Sequence, residues 1–185
     1  MRVAVLLCVS CACAVAQVNI QTHDDQTVSV AINGTPFTTF HFGPDTRKPY
    51  LAPLRTANGI VVTRSFPMST DVAGESRDHP HHRGVWFTHG NVNGYDFWGN
   101  EDSQNGAGKG KGVVVVNKLD RVRGGERNGD IHATFHWKTG DGKVLLSEDR
   151  TMTFYEDRTL RTIDFDISLT AREKVVFGDT KEGTF

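Results

Sequence analysis

Cysteine is almost missing from this chain of 185 residues: there are three, Cys8, Cys11 and Cys13, all within the first sixteen positions. If that stretch is removed as a leader, no cysteine remains and a disulfide scaffold is excluded. Charge of one sign is equally lacking. Lys and Arg number 21 against 22 Asp and Glu, a formal net charge of −1, which becomes −2 once Arg2 is lost with the leader. That balance gives no electrostatic basis for binding nucleic acid or an anionic membrane. Long apolar runs are absent after residue 16, so no membrane span is expected. No segment carries a helical 3.6-residue periodicity and no fixed-period repeat is evident, which excludes helical bundles and solenoids.

What the N-terminus does contain reads as a secretory signal peptide over residues 1–16. Arg2 is its positive end, residues 3–15 its apolar stretch, and Ala14-Val15-Ala16 an A-x-A cleavage site. The expected location is therefore secreted or periplasmic, with residues 17–185 forming one domain. A lipoprotein signal that retains Cys11 or Cys13 is the alternative.

Strand signals fill the remainder. Residues 26–32 alternate Val28, Val30 and Ile32 with polar neighbours, and Asn33-Gly34 predicts a type I′ hairpin into residues 37–42. A second Asn-Gly, Asn58-Gly59, separates expected strands at 50–55 and 60–64, in a region where Pro44, Pro49, Pro53 and Pro67 argue against helix. Further strands are expected at 113–122, 131–138, 144–155, 160–170 and 175–177. The clearest half-buried one sets Ile163, Phe165, Ile167 and Leu169 against Thr162, Asp164, Asp166 and Ser168. The fold class is all-β, an antiparallel β-sandwich of hairpins and meanders.

Chemistry concentrates in residues 78–98, DHPHHRGVWFTHGNVNGYDFW, which hold four of the eight histidines. Titratable and aromatic side chains mixed this densely suit a polar ligand held by hydrogen bonds and stacking. Pro80 steers His79 out of the helical region. If the chain then runs extended, His79, His81, Arg83, Val85, Phe87 and His89 share one face, and His82, Trp86 and Thr88 take the other. Gly84 allows close backbone approach. The histidines admit three uses: an acid–base or sugar-binding cluster, a transition-metal site, or structural hydrogen bonding. Metal is the weaker use, because alternation parts His81 from His82 and no cysteine or ligand spacing supports it. No cofactor is called for. Among the aromatics, Trp86 and Phe97 are expected in the core, while Trp98 and Tyr95 border turns and are the better ligand contacts. Asp78 and Asp96 are the nearest carboxylates, and Glu101 and Glu182 lie in glycine-bearing loops. His132, His136, Asp164 and Asp166 read as the solvated faces of strands. The glycine-rich stretch 99–112 lacks the glycine spacing and the Ser or Thr of a phosphate loop, and reads as a surface loop beside the site.

Three blocks, KPYLAPLRTANGIVVTRSFPM at 48–68, DHPHHRGVWFTHGNVNGYDFWG at 78–99 and GDTKEGTF at 178–185, resemble a family of secreted bacterial proteins labelled PmoA-like. The label refers to a subunit of a methane-oxidising enzyme, a helical membrane protein, whereas this chain reads as all-β. The resemblance implies instead a large β-sandwich similar in style to the aldose-mutarotase supersandwiches, which handle sugars with histidine and carboxylate pairs. It also implies that family members run on past the last block, so that this chain would be C-terminally truncated.

The expected function is a carbohydrate-active protein, an epimerase, lyase or hydrolase, acting on or binding a small-molecule or oligosaccharide ligand. His79, His81, His82 and Asp78 form the catalytic set. Arg83, His89, Tyr95, Asp96, Trp98 and Glu182 contact the substrate. The alternatives are a non-catalytic carbohydrate-binding module and a metal-dependent oxidoreductase, nearest to the label. The leader generates a first prediction: the intact mass of exported protein matches a chain beginning at Gln17 with no cysteine, and an N-terminal diacylglyceryl-cysteine would refute cleavage after Ala16.

Overall fold

The computed structural model describes residues 17–106 and 108–185; the leader expected at 1–16 lies outside them. In chain order the strands are β1 (Val18–His23), β2 (Thr27–Ile32), β3 (Thr35–His41), β4 (Tyr50–Leu51), β5 (Val85–Trp86), β6 (Thr88–His89), β7 (Gly112–Arg123), β8 (Asn128–Thr139), β9 (Val144–Tyr155), β10 (Ile163–Ala171) and β11 (Gly183–Thr184). No helix occurs among the described residues. A five-stranded sheet runs β1-β2-β3-β4-β5, a four-stranded sheet β10-β9-β8-β7, and β11 pairs with β6 alone. All pairings are antiparallel. The protein is an all-β antiparallel sandwich.

Period-2 patterning explains how the sheets face each other. Val28, Val30 and Ile32 of β2 and Ile131, Ala133, Phe135 and Trp137 of β8 point into one apolar core. Edge-to-face aromatic pairs bridge the layers, Phe37 with Phe154 at 6.2 Å and Phe40 with Phe135 at 6.4 Å between centroids. Burying each such side chain stabilises by about 1.5–3 kcal/mol. At the β2–β3 turn Asn33 and Gly34 both take positive φ, 51° and 76°, the type I′ geometry their sequence predicts.

Differences from the expected elements follow from local chemistry. Residues 60–64 contribute only an isolated Arg55–Val61 bridge, and residues 175–177 only a Val92–Phe177 bridge. The Pro-rich chain around the first of these cannot donate a continuous ladder. Strands β1 and β11 lacked a readable period. The second is two residues long, too short to show an alternation. In β10, Ile163, Phe165, Ile167 and Leu169 do turn to the core side but are only half-buried, since β10 is an edge strand.

The core also holds a charge pair. Glu148 and Arg150, inward neighbours on β9, are 1% exposed. Arg150 Nε donates to Glu148 Oε1 at 2.5 Å, Trp137 Nε1 donates to Glu148 Oε2 at 2.7 Å, and the guanidinium lies 4.8 Å from the Phe135 ring centroid. Breaking such a pair strands a buried charge, whereas replacing both members does not. Arg150→Met alone is therefore expected to cost about 3–5 kcal/mol in urea unfolding, and Arg150→Met with Glu148→Leu distinctly less. A double variant at least as unstable as the single one would refute the argument.

Candidate functional site

Residues 78–84 are not extended. His82 N–H donates to His79 C=O at 3.0 Å, closing a β-turn with Pro80 at its second position, where a φ fixed near −65° is wanted. His79 adopts φ +46°, a left-handed conformation uncommon for a residue with a side chain. The expected division of the histidines between two faces is thereby overturned: a turn, unlike a strand, gathers consecutive side chains. The ring centroids of His79, His81 and His82 stand 4.5 to 5.6 Å apart. Gly84 follows at φ +89°, and a Cβ there would collide with Leu51 O, so only glycine lets the turn close against β4.

Two tryptophans back the turn. Trp86 on β5 and Trp98 beyond β6 pack at 5.0 Å between centroids and are 7% and 8% exposed. Their indole Nε1 atoms are buried without a hydrogen-bond partner among the described residues. An unmet buried donor costs about 1–3 kcal/mol, so two side by side are notable. Trp86 and Phe97 are both buried core residues as expected, Phe97 in the large cluster and Trp86 in a separate small one with Tyr50, Ala52 and Trp98.

Under this cluster runs a polar network. Lys48 is fully buried and donates to Trp98 O at 2.7 Å and to Asn100 Oδ1 at 2.8 Å, with Glu101 Oε1 at 4.0 Å. Burial drives its pKa down to about 7, against the opposing pull of Glu101. Glu101 accepts two bonds of 2.8 Å from Arg83, whose guanidinium also lies 5.6 Å from the Tyr50 ring centroid. Gln104 Oε1 accepts from Glu101 N at 3.3 Å, which turns the amide nitrogen toward His81 Nδ1 at 2.8 Å. His81 Nδ1 is thus an acceptor and its proton sits on Nε2.

Two of the imidazoles, His81 and His82, are biased toward the neutral form. Burial lowers the His81 pKa to about 4, aided by the positive potential of His82, Lys48 and His79. Burial, then His79 and Arg64, lowers that of His82. His82 has no hydrogen-bond partner for its ring among the described residues.

Two clefts meet here, sharing Trp98. One, of about 520 Å³, is lined by His81, Asp96, Trp98, Gln104 and Glu182 among others. The other, of about 440 Å³, is lined by His82, Gly84, Val85, Trp86, Trp98 and Val62 among others. Asp96 Oδ1 accepts from Trp98 N and Gly99 N, and no donor engages its Oδ2 among the described residues.

The structure thus brings together His79, His81, His82, Asp96, Trp98 and Glu182. Asp78 joins through His79 Nδ1 at 2.7 Å, though it is exposed and also bound by Arg64 and the Ser76 hydroxyl. Three other expected contacts are placed differently. Arg83 is committed to Glu101. His89 Nε2 bonds Gly178 O at 2.9 Å and its ring packs on Phe177. Tyr95 lines a third depression of about 400 Å³ that shares no lining residue with the two clefts, with Lys109 against its ring. Lys48 and Gln104 were not anticipated. Lys48 had one readable signal, its place at the head of a block carrying the resemblance; Gln104, inside a polar glycine-rich loop, had none. Among the described residues no three of His, Cys, Asp and Glu are arranged to hold a metal ion, and no helix is long and apolar enough to cross a membrane.

Fold and site define an antiparallel sandwich bearing a histidine turn backed by paired tryptophans. The chain belongs to a family of unknown function, DUF6807, whose model matches residues 27–185. That match carries no link to a methane-oxidising enzyme. No curated protein and no solved structure matches the chain.

A pH prediction follows from His81. Its pKa is about 4 in the folded chain, against an ordinary value of 6.5. Between those values the unfolded chain binds a proton that the folded chain refuses, so stability is full above the window and falls as pH drops through it. His41, His82 and His136, also lowered chiefly by burial, act in the same direction. Urea midpoints at about pH 7.5 and about pH 5 should differ less in His81→Gln than in the parent. An equal drop in both would overturn the assignment.

Proposed function

We propose that this is an exported carbohydrate-active protein that binds a sugar at the histidine turn and moves a proton on it. The observation that carries the reading is the convergence of a neutral imidazole, His81, and the Trp98 ring with the side chains of Asp96, Gln104 and Glu182 in the lining of one polar cleft, with His82 beside it. A sugar matches such a cleft, with hydroxyls for the His81 N–H and the carboxylates and a C–H face for the edge of Trp98.

Roles follow from hydrogen-bond capacity. His81, with its proton on Nε2 and Nδ1 held by Gln104, donates to a sugar oxygen and stabilises negative charge developing there. His82, neutral and unpartnered, is the base. The carboxylates of Asp96 and Glu182, in the His81 cleft, take further hydroxyls. A neutral base beside a neutral donor suits proton abstraction next to a carbonyl, the step shared by epimerases and lyases. A purely sugar-binding module uses the same groups without turnover. The resemblance to the PmoA-like proteins supports export but adds no reaction.

The test is ¹H NMR in D₂O of a panel of reducing monosaccharides and methyl glycosides of uronic acids, each with a C–H next to a carbonyl, incubated with the protein, with binding measured in parallel by calorimetry. His81→Ala should weaken binding at least tenfold, about 1.4 kcal/mol. His82→Ala should lower turnover at least as much while leaving binding nearly intact. Activity should fall as pH drops through a value below 6.5, where His82 takes a proton. Binding without turnover in the parent would establish the module; parallel loss of thermal stability and binding in both variants would make the cluster structural.

A further inference from the structure

The clefts on either side of Trp98 differ in chemistry, and the difference bears on the ligand. The His81 side is lined by hydrogen-bonding groups: Asp96, Ser103, Gln104, Asn105 and Glu182. The His82 side is lined mainly by Val62, Val85, Trp86, Trp98 and Phe185. Of its polar side chains only His82, at the junction with the first cleft, is unengaged among the described residues. Arg64 is bound to Asp78 and to the carbonyls of Ser76 and Asp78, so its charge is met within the chain. Thr63 Oγ1 accepts from Leu54 N at 3.2 Å. Gly84 presents bare backbone there and admits no side chain, since Leu51 O stands where a Cβ would project.

The rim of this second cleft is unusual in its own right. Ile60, Val61 and Val62 are consecutive, apolar and 64%, 46% and 63% exposed. Isolated exposed apolar residues need no explanation, but a contiguous run beside an apolar cleft marks a surface that something covers. At about 440 Å³ the cleft falls in the range that takes a small-molecule group. Because the His81 and His82 rings stand 4.5 Å apart and Trp98 lines both clefts, one ligand can occupy the two sides at once.

We propose that the ligand is a glycoside with a flat, uncharged, apolar aglycone, its sugar in the His81 cleft and its aglycone against Trp86, Trp98 and Val62. This rests on the sugar reading given above. The apolar side selects the aglycone and the polar side the sugar, so the two contributions separate in binding measurements.

The experiment is calorimetry on the full chain with matched pairs of 4-nitrophenyl and methyl glycosides of glucose, galactose, mannose and xylose in both anomeric forms. Disaccharides of the same sugars and free 4-nitrophenol complete the set. For the sugar that binds, the 4-nitrophenyl member should bind at least tenfold tighter than the methyl member, and tighter than any disaccharide. Val62→Asp, a change at an exposed rim position, should abolish most of that ratio and leave the methyl glycoside unaffected. Equal affinity for the 4-nitrophenyl and methyl members would overturn the aglycone proposal and leave the sugar reading standing. So would a disaccharide that gains as much, or free 4-nitrophenol binding as tightly as its glycosides. If no member of the panel binds, both readings fail together.

Discussion

The arrangement of this site depends on one buried ammonium. Lys48 carries no exposed surface, and its charge in that setting is expensive, on the order of several kcal/mol before partners are counted. Its donors are met by Trp98 O and Asn100 Oδ1, and the Glu101 carboxylate stands at 4.0 Å. The consequence is geometric. Asn100 also donates to Arg47 O and Gly112 O, so the approach to β4, the turn after Trp98 and the start of β7 are tied at one point. Glu101, held next to that point, grips Arg83 with two bonds, and Arg83 is the residue immediately after the histidine turn. A guanidinium expected to face substrate is therefore the strut that fixes the turn.

The turn itself is built against local preference. A left-handed His79 before a proline, followed by a glycine that no other residue can replace, is a sequence of backbone requirements that simple chain reversal does not need. What these requirements achieve is crowding. The three rings stand with centroids within 5.6 Å of one another, and burial first, then the neighbouring histidines and Lys48, disfavours a proton on His81 and His82. The scaffold of two packed sheets carries the energetic load that lets short strands and loops hold this cluster.

How far the sequence disclosed this differs by element. The long strands were legible because a period of two repeats often enough in twelve residues to be seen, and the Asn33-Gly34 turn because its chemistry has one common outcome. The strands that frame the site are two residues each: β4 falls inside the strand expected at 50–55, and β5 and β6 inside the extended run read through His89, but their pairing was not readable. The concentration of histidines and aromatics in the candidate site was legible from composition alone, but its arrangement was not. Alternation was the natural reading of residues 79–89; it holds over Val85–His89, where Trp86 and Thr88 are the buried face, and fails at the histidines because Pro80 serves as a turn position. Burial of Lys48 was invisible for a related reason: a lysine beside a proline reads as solvent-exposed, and only its partners, more than fifty positions along in the chain for Asn100, make it otherwise.

The same network reaches the chemistry through a tautomer. Glu101 offers both its carboxylate, to Arg83, and its backbone N–H, to Gln104 Oε1. The second of these turns the Gln104 amide so that its nitrogen faces His81 Nδ1, and the proton of His81 is thereby assigned to Nε2. One residue consequently sets both where the histidine turn lies and which ring nitrogen of His81 can donate. Histidines that share a turn would otherwise be interchangeable; here His81 is restricted to giving a hydrogen bond, and His82, which the network does not touch, keeps a lone pair free. That asymmetry is what allows two adjacent imidazoles of low pKa to act as a donor and a base on one ligand instead of as duplicates.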